Sequence, residues 1–150
     1  MDSIDKKLII LLQENFPLVL RPFQALARSL SVSEDEIIRR IKRLKACGII
    51  KRIGPVHNPQ NIGYPRRSLV GMLVAENRLK ETVEIVNSFS EVTNNYLRSD
   101  ECFNLWFTLI CPTQKRIDEI IRQIRRKSRI KKLISLPTIR TIKIKTVFKP

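Results

Sequence analysis

Apolar residues recur at helical spacing from Ser3 to Gln13, where Ile4, Leu8, Leu11 and Leu12 form one stripe, and this predicts an amphipathic helix. Asp2 stands where an N-cap belongs, and Asp5 lies close to the positive helix end. After a loop with Pro17, Pro22 opens a second short helix over Phe23 to Ser29. Ser33 starts a third, with Glu36 completing a capping box and Ile37, Ile38, Ile41 and Leu44 as its buried stripe. Gly48 ends it. Ile49 to Ile53, followed by Gly54-Pro55, reads as a short strand and turn. Residues 1–57 are therefore expected to form a winged helix-turn-helix.

Residues 58–67 begin NPQNIGYP and read as a linker, and the pattern changes after them. Ser68 to Ala75 predicts a strand, and Arg78 to Ser88 a helix on Leu79, Val83 and Val86. Two strands follow within Val92 to Leu109. Gln114 to Lys127 is a helix on Ile117, Ile120, Ile121 and Ile124. Arg140 to Phe148 alternates Ile142 and Ile144 with Lys143 and Lys145, which predicts a last strand. The order βαββαβ over residues 68–150 implies a four-stranded antiparallel sheet with two helices on one face. The expected class is α+β, a helix-turn-helix followed by a ferredoxin-like unit.

One face of that sheet would be uncovered, and the two strands within Val92 to Leu109 decide what it carries. Strand alternation puts Val92, Asn94, Tyr96 and Arg98 on one side, joined by Asn104, Trp106 and Thr108 of the next strand. Leu105, Phe107 and Leu109 turn the other way, toward the core. Two amides, a phenol, a guanidinium and an indole together are costly to bury without a partner. Such a surface calls for a ligand or a second subunit.

Net charge sharpens the choice of partner. The chain has 29 Lys plus Arg against 14 Asp plus Glu, net +15, which favours an anionic partner. Residues 1–63 hold 11 basic and 6 acidic side chains, whereas 112–150 hold 13 and 2, so the excess is C-terminal. The third helix opens with Ser33, Glu34, Asp35 and Glu36, three carboxylates where base edges would be approached, and this opposes DNA reading. Arg39, Arg40, Lys42, Arg43 and Lys45 further along leave backbone contacts open. The stretch Gln114 to Lys132, where basic residues cluster from Arg122 onward, reads as a solvated helix face, with non-specific nucleic-acid binding as the lesser alternative. Three separated cysteines, Cys47, Cys102 and Cys111, fit neither a disulfide framework nor a zinc knuckle and read as small buried hydrophobes. No apolar run is long enough for a membrane span and the start is unlike a signal peptide, so a cytoplasmic protein with no membrane partner is expected. No nucleophile constellation, carboxylate pair, phosphate loop or metal spacing is present.

The two-part layout resembles the Lrp/AsnC family of regulators, in which a helix-turn-helix precedes a ligand-sensing and dimerising domain. Three segments carry a closer resemblance: IDKKLIILLQENFPLVLRPFQALARSL, EDEIIRRIKRLKACGIIKRIGPV and VTNNYLRSDECFNLWFTL. They look like the siroheme decarboxylases, Lrp-like proteins of alternative and dissimilatory haem biosynthesis. The family signature runs V-T-H-N-Y-x-R and then N-x-W-F-T, and Val92, Thr93, Asn95, Tyr96, Arg98, Asn104, Trp106, Phe107 and Thr108 match it in register.

The resemblance implies loss of carboxylate from two acetate arms of siroheme, giving didecarboxysiroheme, with no cofactor beyond the iron tetrapyrrole substrate. It also implies a homologous Lrp-like subunit as partner, in a heterodimer or larger assembly. Arg98 would then pair with a substrate carboxylate, with Lys143 and Lys145 as point charges, while Tyr96 and Trp106 pack on the macrocycle and Asn94, Asn104 and Thr108 complete the surface. The plainer alternative makes the cations solvated and the aromatics part of a subunit interface.

The chain departs from the family pattern at two places: Asn94 stands where the family has His, and the loop Ser99 to Phe103 lacks the second His that such proteins often carry. Breaking the acetate C–C bond needs an electron sink and a proton delivered to carbon, and Asn cannot titrate. The only histidine is His57, in GPVHNP. Either this chain is the partner with the weaker half-site, the reading favoured here, or Tyr96 or His57 delivers the proton. A ligand-responsive transcription regulator on the same fold is the competing function.

Overall fold

A computed structural model of the chain describes residues 1–143 and 147–150. Their contacts form two compact units, Met1–Val56 together with Lys143–Pro150, and His57–Ile142. No helix among the described residues is long and apolar enough to cross a membrane.

The first unit holds α1 (Ser3–Glu14), α2 (Pro22–Leu30) and α3 (Glu34–Ala46). Their stripes meet in a core of Leu8, Leu26, Ile37 and Leu44, each at most 2% exposed. The Asp2 carboxylate accepts the Asp5 N–H at 2.8 Å and the Asp5 carboxylate accepts the Asp2 N–H at 3.0 Å, a reciprocal capping box. At α3 only half of the expected box forms. Ser33 Oγ accepts the Glu36 N–H at 3.2 Å, while the Glu36 carboxylate turns to Arg39 and Arg40. The expected wing strand over Ile49 to Ile53 is not formed; Ile49 and Ile53 are exposed, and the segment pairs with no strand among the described residues. A short apolar run becomes a strand only where a ladder partner takes up its N–H and C=O groups.

The second unit runs β1 (Arg66–Met72), α4 (Leu79–Asn87), β2 (Val92–Leu97), β3 (Leu105–Cys111), α5 (Gln114–Ser128) and β4 (Leu133–Pro137). The sheet order is β2-β3-β1-β4, with every neighbouring pair antiparallel. One face buries Val70, Met72, Phe107, Leu109, Ile117 and Ile124 in a single core. This is the expected α+β ferredoxin-like arrangement. Burial of that many large side chains, at about 1.5–3 kcal/mol each, fixes which side of the sheet is inside.

Two strand expectations are corrected. The fourth strand is LISLP, not Arg140 to Phe148, and it pairs with β1 from Ser68↔Pro137 to Met72↔Leu133. Pro137 is tolerated because β4 is an edge strand. With that edge of β1 taken by β4, the described residues Ile142 and Lys143 are not part of the sheet. Ile142 is exposed, and Lys143 groups with the first unit. Lys143 therefore does not stand on the sheet as expected; Ile144 and Lys145 lie outside the described residues.

The second correction concerns β2. Val92 faces Leu109 and Asn94 faces Thr108, so the extra residue Thr93 makes a bulge. A bulge shifts the alternation by one. Val92 consequently packs on the core instead of sharing the side of Asn94 and Tyr96.

Candidate functional site

The uncovered face of the sheet is built from cross-strand rows. Tyr96, Trp106, Gly71 and Ile134 form one, and Asn94, Thr108, Leu69 and Leu136 the next. Tyr96, Leu69 and Leu136 are exposed to 55%, 42% and 44%, an apolar platform with nothing over it among the described residues.

Trp106 is fixed within this platform. Its Nε1–H donates to the Phe103 carbonyl at 2.6 Å, and the Phe103 ring meets the indole edge-on at 5.8 Å. The indole lies across Gly71, where an added Cβ would fall 2.9 Å from Trp106 Cη2 and Cζ3 and 3.1 Å from Ile134 Cγ2. Glycine at this position leaves the room the ring occupies. The loop carrying Phe103 is held in turn by Asp100, whose Oδ1 accepts the N–H groups of Cys102 at 2.8 Å and Phe103 at 2.7 Å. These bonds hold the Asp100 carboxyl below its ordinary range. Lys132 Nζ sits 5.1 Å from the Phe103 ring centroid.

Tyr96 and Asn94 touch loosely, with the Tyr96 hydroxyl 3.5 Å from Asn94 Oδ1. The Arg98 guanidinium lies 5.9 Å from the Tyr96 ring centroid and makes no ion pair among the described residues. Thr108 stands beside Asn94, half-buried. The structure thus brings Asn94, Tyr96, Arg98, Trp106 and Thr108 together as the sequence led one to expect.

Asn104 has a different task. Its Nδ2 donates to the Val74 carbonyl and its Oδ1 accepts the Val74 N–H, both at 2.8 Å. With both amide atoms engaged, Asn104 clamps the ends of β1 and β3 instead of facing a ligand. Asn95, another signature position, lies opposite buried Phe107 and donates to Asn87 Oδ1 in α4 at 2.9 Å. His57 is exposed in the loop before a short 3-10 turn, Pro59–Ile62, and no hydrogen bond reaches its ring among the described residues. Of the cysteines only Cys111 is buried, and burial pushes its thiol up; Cys47 and Cys102 are exposed, contrary to expectation. No cluster of three His, Cys, Asp or Glu side chains among the described residues could hold a metal ion.

One residue of the face was missed. Arg67 is two positions before Leu69 and four before Gly71, and so points to the same side. It is half-buried, its Nε has no hydrogen-bond partner, and it makes no ion pair among the described residues. The expected strand began at Ser68, which left Arg67 in the linker. The alternation through RRSLVGM was the signal that could have found it.

A separate cleft of about 700 Å³ opens at the far end of β2 and β3, between Tyr64, Thr93, Ile110 and the start of α5. An ion pair of Arg116 and Glu91 at 2.6 Å lies in its wall. Burial raises the Glu91 carboxyl, but the Arg116 bond and backbone bonding outweigh it and leave it lowered.

The siroheme decarboxylase NirDL-like HTH domain matches residues 5–51, and the AsnC-like ligand binding domain matches residues 61–143. The siroheme decarboxylase alpha subunit of Nitratidesulfovibrio vulgaris is 32% identical over 149 residues, covering 99% of this chain and 83% of that protein. The siroheme decarboxylase NirDL subunit of Paracoccus pantotrophus is 33% identical over 144 residues, 96% of this chain but 43% of that longer protein. Among solved structures, E. coli AsnC superposes with a TM-score of 0.86 at 20% identity, covering 100% of this chain and 99% of that one, which shows the fold. Matched along nearly its whole length by such a subunit, and over residues 61–143 by the AsnC-like domain, the chain belongs to the Lrp/AsnC-like siroheme decarboxylase family.

Proposed function

We propose that this chain is a cytoplasmic subunit of siroheme decarboxylase, acting with a homologous Lrp-like subunit to remove two acetate carboxylates from siroheme. The observation that carries the reading is the uncovered face with Tyr96 and Trp106 side by side, in a chain related over 99% of its length to such a subunit. The macrocycle packs on Trp106 and Tyr96, and Arg98 takes a rim carboxylate as a bidentate pair. Asn94 and Thr108 contact the substrate beside them, and Asn104 serves by fixing the strand end that carries Trp106.

At each acetate arm the bond between methylene and carboxylate carbon breaks. CO₂ leaves, the electron pair stays on the methylene carbon, and a proton completes a methyl group. The iron arrives with the substrate. This face offers Tyr96 as its titratable hydroxyl and Asn94 where an imidazole would stand, so the second subunit supplies the group that delivers the proton. His57, exposed in its loop, is the lesser alternative for that role, beside Tyr96 itself. The length of the Paracoccus relative, of which this chain accounts for 43%, leaves room for two such units in one polypeptide and supports a paired site.

The regulator reading is weaker. Arg39, Arg40 and Arg43 of α3 are bonded to Asp2, Asp5 and Glu36, and the helix begins with three acids. Both features lower its attraction to phosphate.

The deciding experiment co-expresses this chain with its homologous subunit, adds siroheme anaerobically, and follows product mass for each chain alone and for the pair. The pair is expected to yield didecarboxysiroheme and this chain alone little or none. Full activity from the isolated chain contradicts the half-site reading. No product from any combination returns the regulator reading to first place.

A further inference from the structure

We propose that Arg67 is a second carboxylate-binding residue of the siroheme site, holding a rim carboxylate at the end of the sheet face opposite Arg98. The inference rests on the proposed siroheme reading and adds to it a residue outside the family signature quoted above.

Position is the first argument. On the uncovered face β1 presents Arg67, Leu69 and Gly71 in sequence, a cation followed by the platform on which Trp106 lies. Arg67 stands opposite Ile110, whereas Arg98 is bonded through its N–H to the Asn104 carbonyl at 2.7 Å, at the other end of β3. From residue 110 to residue 104 the face advances three two-residue steps, and β1 lies two strands from β2. At about 6.7 Å per step and about 4.8 Å per strand the two Cα atoms are about 22 Å apart. Two long side chains folding inward over that interval bracket a planar macrocycle with acids on its rim. The groups between them are aromatic or aliphatic, apart from Asn94 and Thr108.

Chemistry is the second argument. Arg67 Nε is buried without a hydrogen-bond partner among the described residues. An unsatisfied buried donor on a charged group is costly, and a substrate carboxylate reaching the guanidinium is the partner proposed for it. A carboxylate satisfies the Nε edge of a guanidinium with two parallel bonds, which a water molecule or a single carbonyl does not. The arginines of the first unit show the contrast, since Arg40 is enclosed by Asp2, Asp5 and Glu36.

The test compares siroheme with its fully methyl-esterified form, both titrated by absorbance into the complex of this chain with its homologous subunit. Arg67→Met is expected to weaken siroheme binding at least tenfold and to leave the ester, already weakly bound, unchanged. Arg67→Lys is expected to recover part of the loss, since a point charge replaces the fork. Elution of each variant as the intact complex, with an unchanged thermal transition, separates a binding effect from a folding one. Equal losses for acid and ester would assign Arg67 to packing or to the subunit contact and overturn the inference. So would undiminished siroheme binding by Arg67→Met, even though the wild-type pair binds and decarboxylates. Failure of the wild-type pair to bind siroheme removes the functional reading and this inference together.

Discussion

Arginine is used in two opposite ways in this molecule. In the first unit Asp5, with a side chain 1% exposed, receives Arg40 at 2.8 Å and Arg43 at 2.5 Å, while Asp2 and Glu36 close around the same Arg40 at 2.7 and 2.6 Å. In the second unit Arg67 and Arg98 sit on an uncovered sheet face and form no ion pair among the described residues. Cations enclosed by acids of their own chain stabilise a fold, and their attraction for phosphate is diminished. Cations left beside an exposed aromatic platform keep theirs. The basic excess of the sequence therefore says less about partners than the placement of its unpaired members does. Even Arg125, Arg126 and Lys127 have a local role, because they occupy the last turn of α5, where the helix dipole favours positive charge.

The contrast makes predictions that separate stability from binding. Asp5→Ala is expected to have the largest effect on stability. Removing one partner of a buried charge pair costs about 3–5 kcal/mol, and the exposure of Arg43 together with the remaining acids on Arg40 reduces this to about 2 kcal/mol. Urea unfolding followed by circular dichroism checks it, and siroheme binding by the paired complex should be unchanged. A binding loss matching that of a face variant would erase the distinction between the two regions. Trp106→Ala should behave in reverse, weakening siroheme binding about tenfold through lost ring contact, with a smaller loss of stability. Arg98→Ala is expected to reduce affinity about fivefold, less than a buried pair because Arg98 is exposed and screened. Titration of each variant against siroheme at two salt concentrations measures both, and only the Arg98 effect should shrink at high salt.

The smallest effect is on acid stability. Backbone bonding to Asp5 and the Arg40 guanidinium lower the Asp2 carboxyl to about 2. Burial raises Asp5, yet the bonds from Arg40 and the Asp2 N–H leave it lowered, and Arg39 lowers Glu36. Their folded values lie below the unfolded ones, so the stability they supply is complete above the ordinary carboxylate range and is lost as pH falls from about 4 toward 2. Helical signal at 222 nm should decline over that window, and Asp2→Asn should make the decline shallower. An unchanged acid transition would show that the arginine cage contributes little.

The helices were legible because each carries its own information: Asp2 at a cap, Pro22 at a first turn, and stripes such as Ile117, Ile120 and Ile124. The composition of the sheet face was legible for the same local reason, since alternation alone places Tyr96 with Arg98 and Trp106 with Thr108. What failed depended on distant partners. The alternating residues of Arg140 to Phe148 read as strand, but Leu133–Pro137 already fills the edge of β1. The bulge at Thr93, which turns Val92 inward, is set by register against Leu109 and Thr108. Asn104 looked like a ligand-facing amide because its two bonds to Val74, 30 residues away, leave no trace in the local pattern. Arg67 was hidden by a strand boundary placed one residue past it, at Ser68.

Trp106 is the only tryptophan of the chain and lies on the face assigned to siroheme, so its emission reports on that face alone. The most direct measurement titrates siroheme into this chain paired with a homologous subunit whose own tryptophans are replaced by phenylalanine. The account predicts saturable quenching of Trp106 emission at the same concentration that saturates the siroheme absorbance change. Siroheme binding by absorbance with Trp106 emission untouched would place the substrate elsewhere and contradict it.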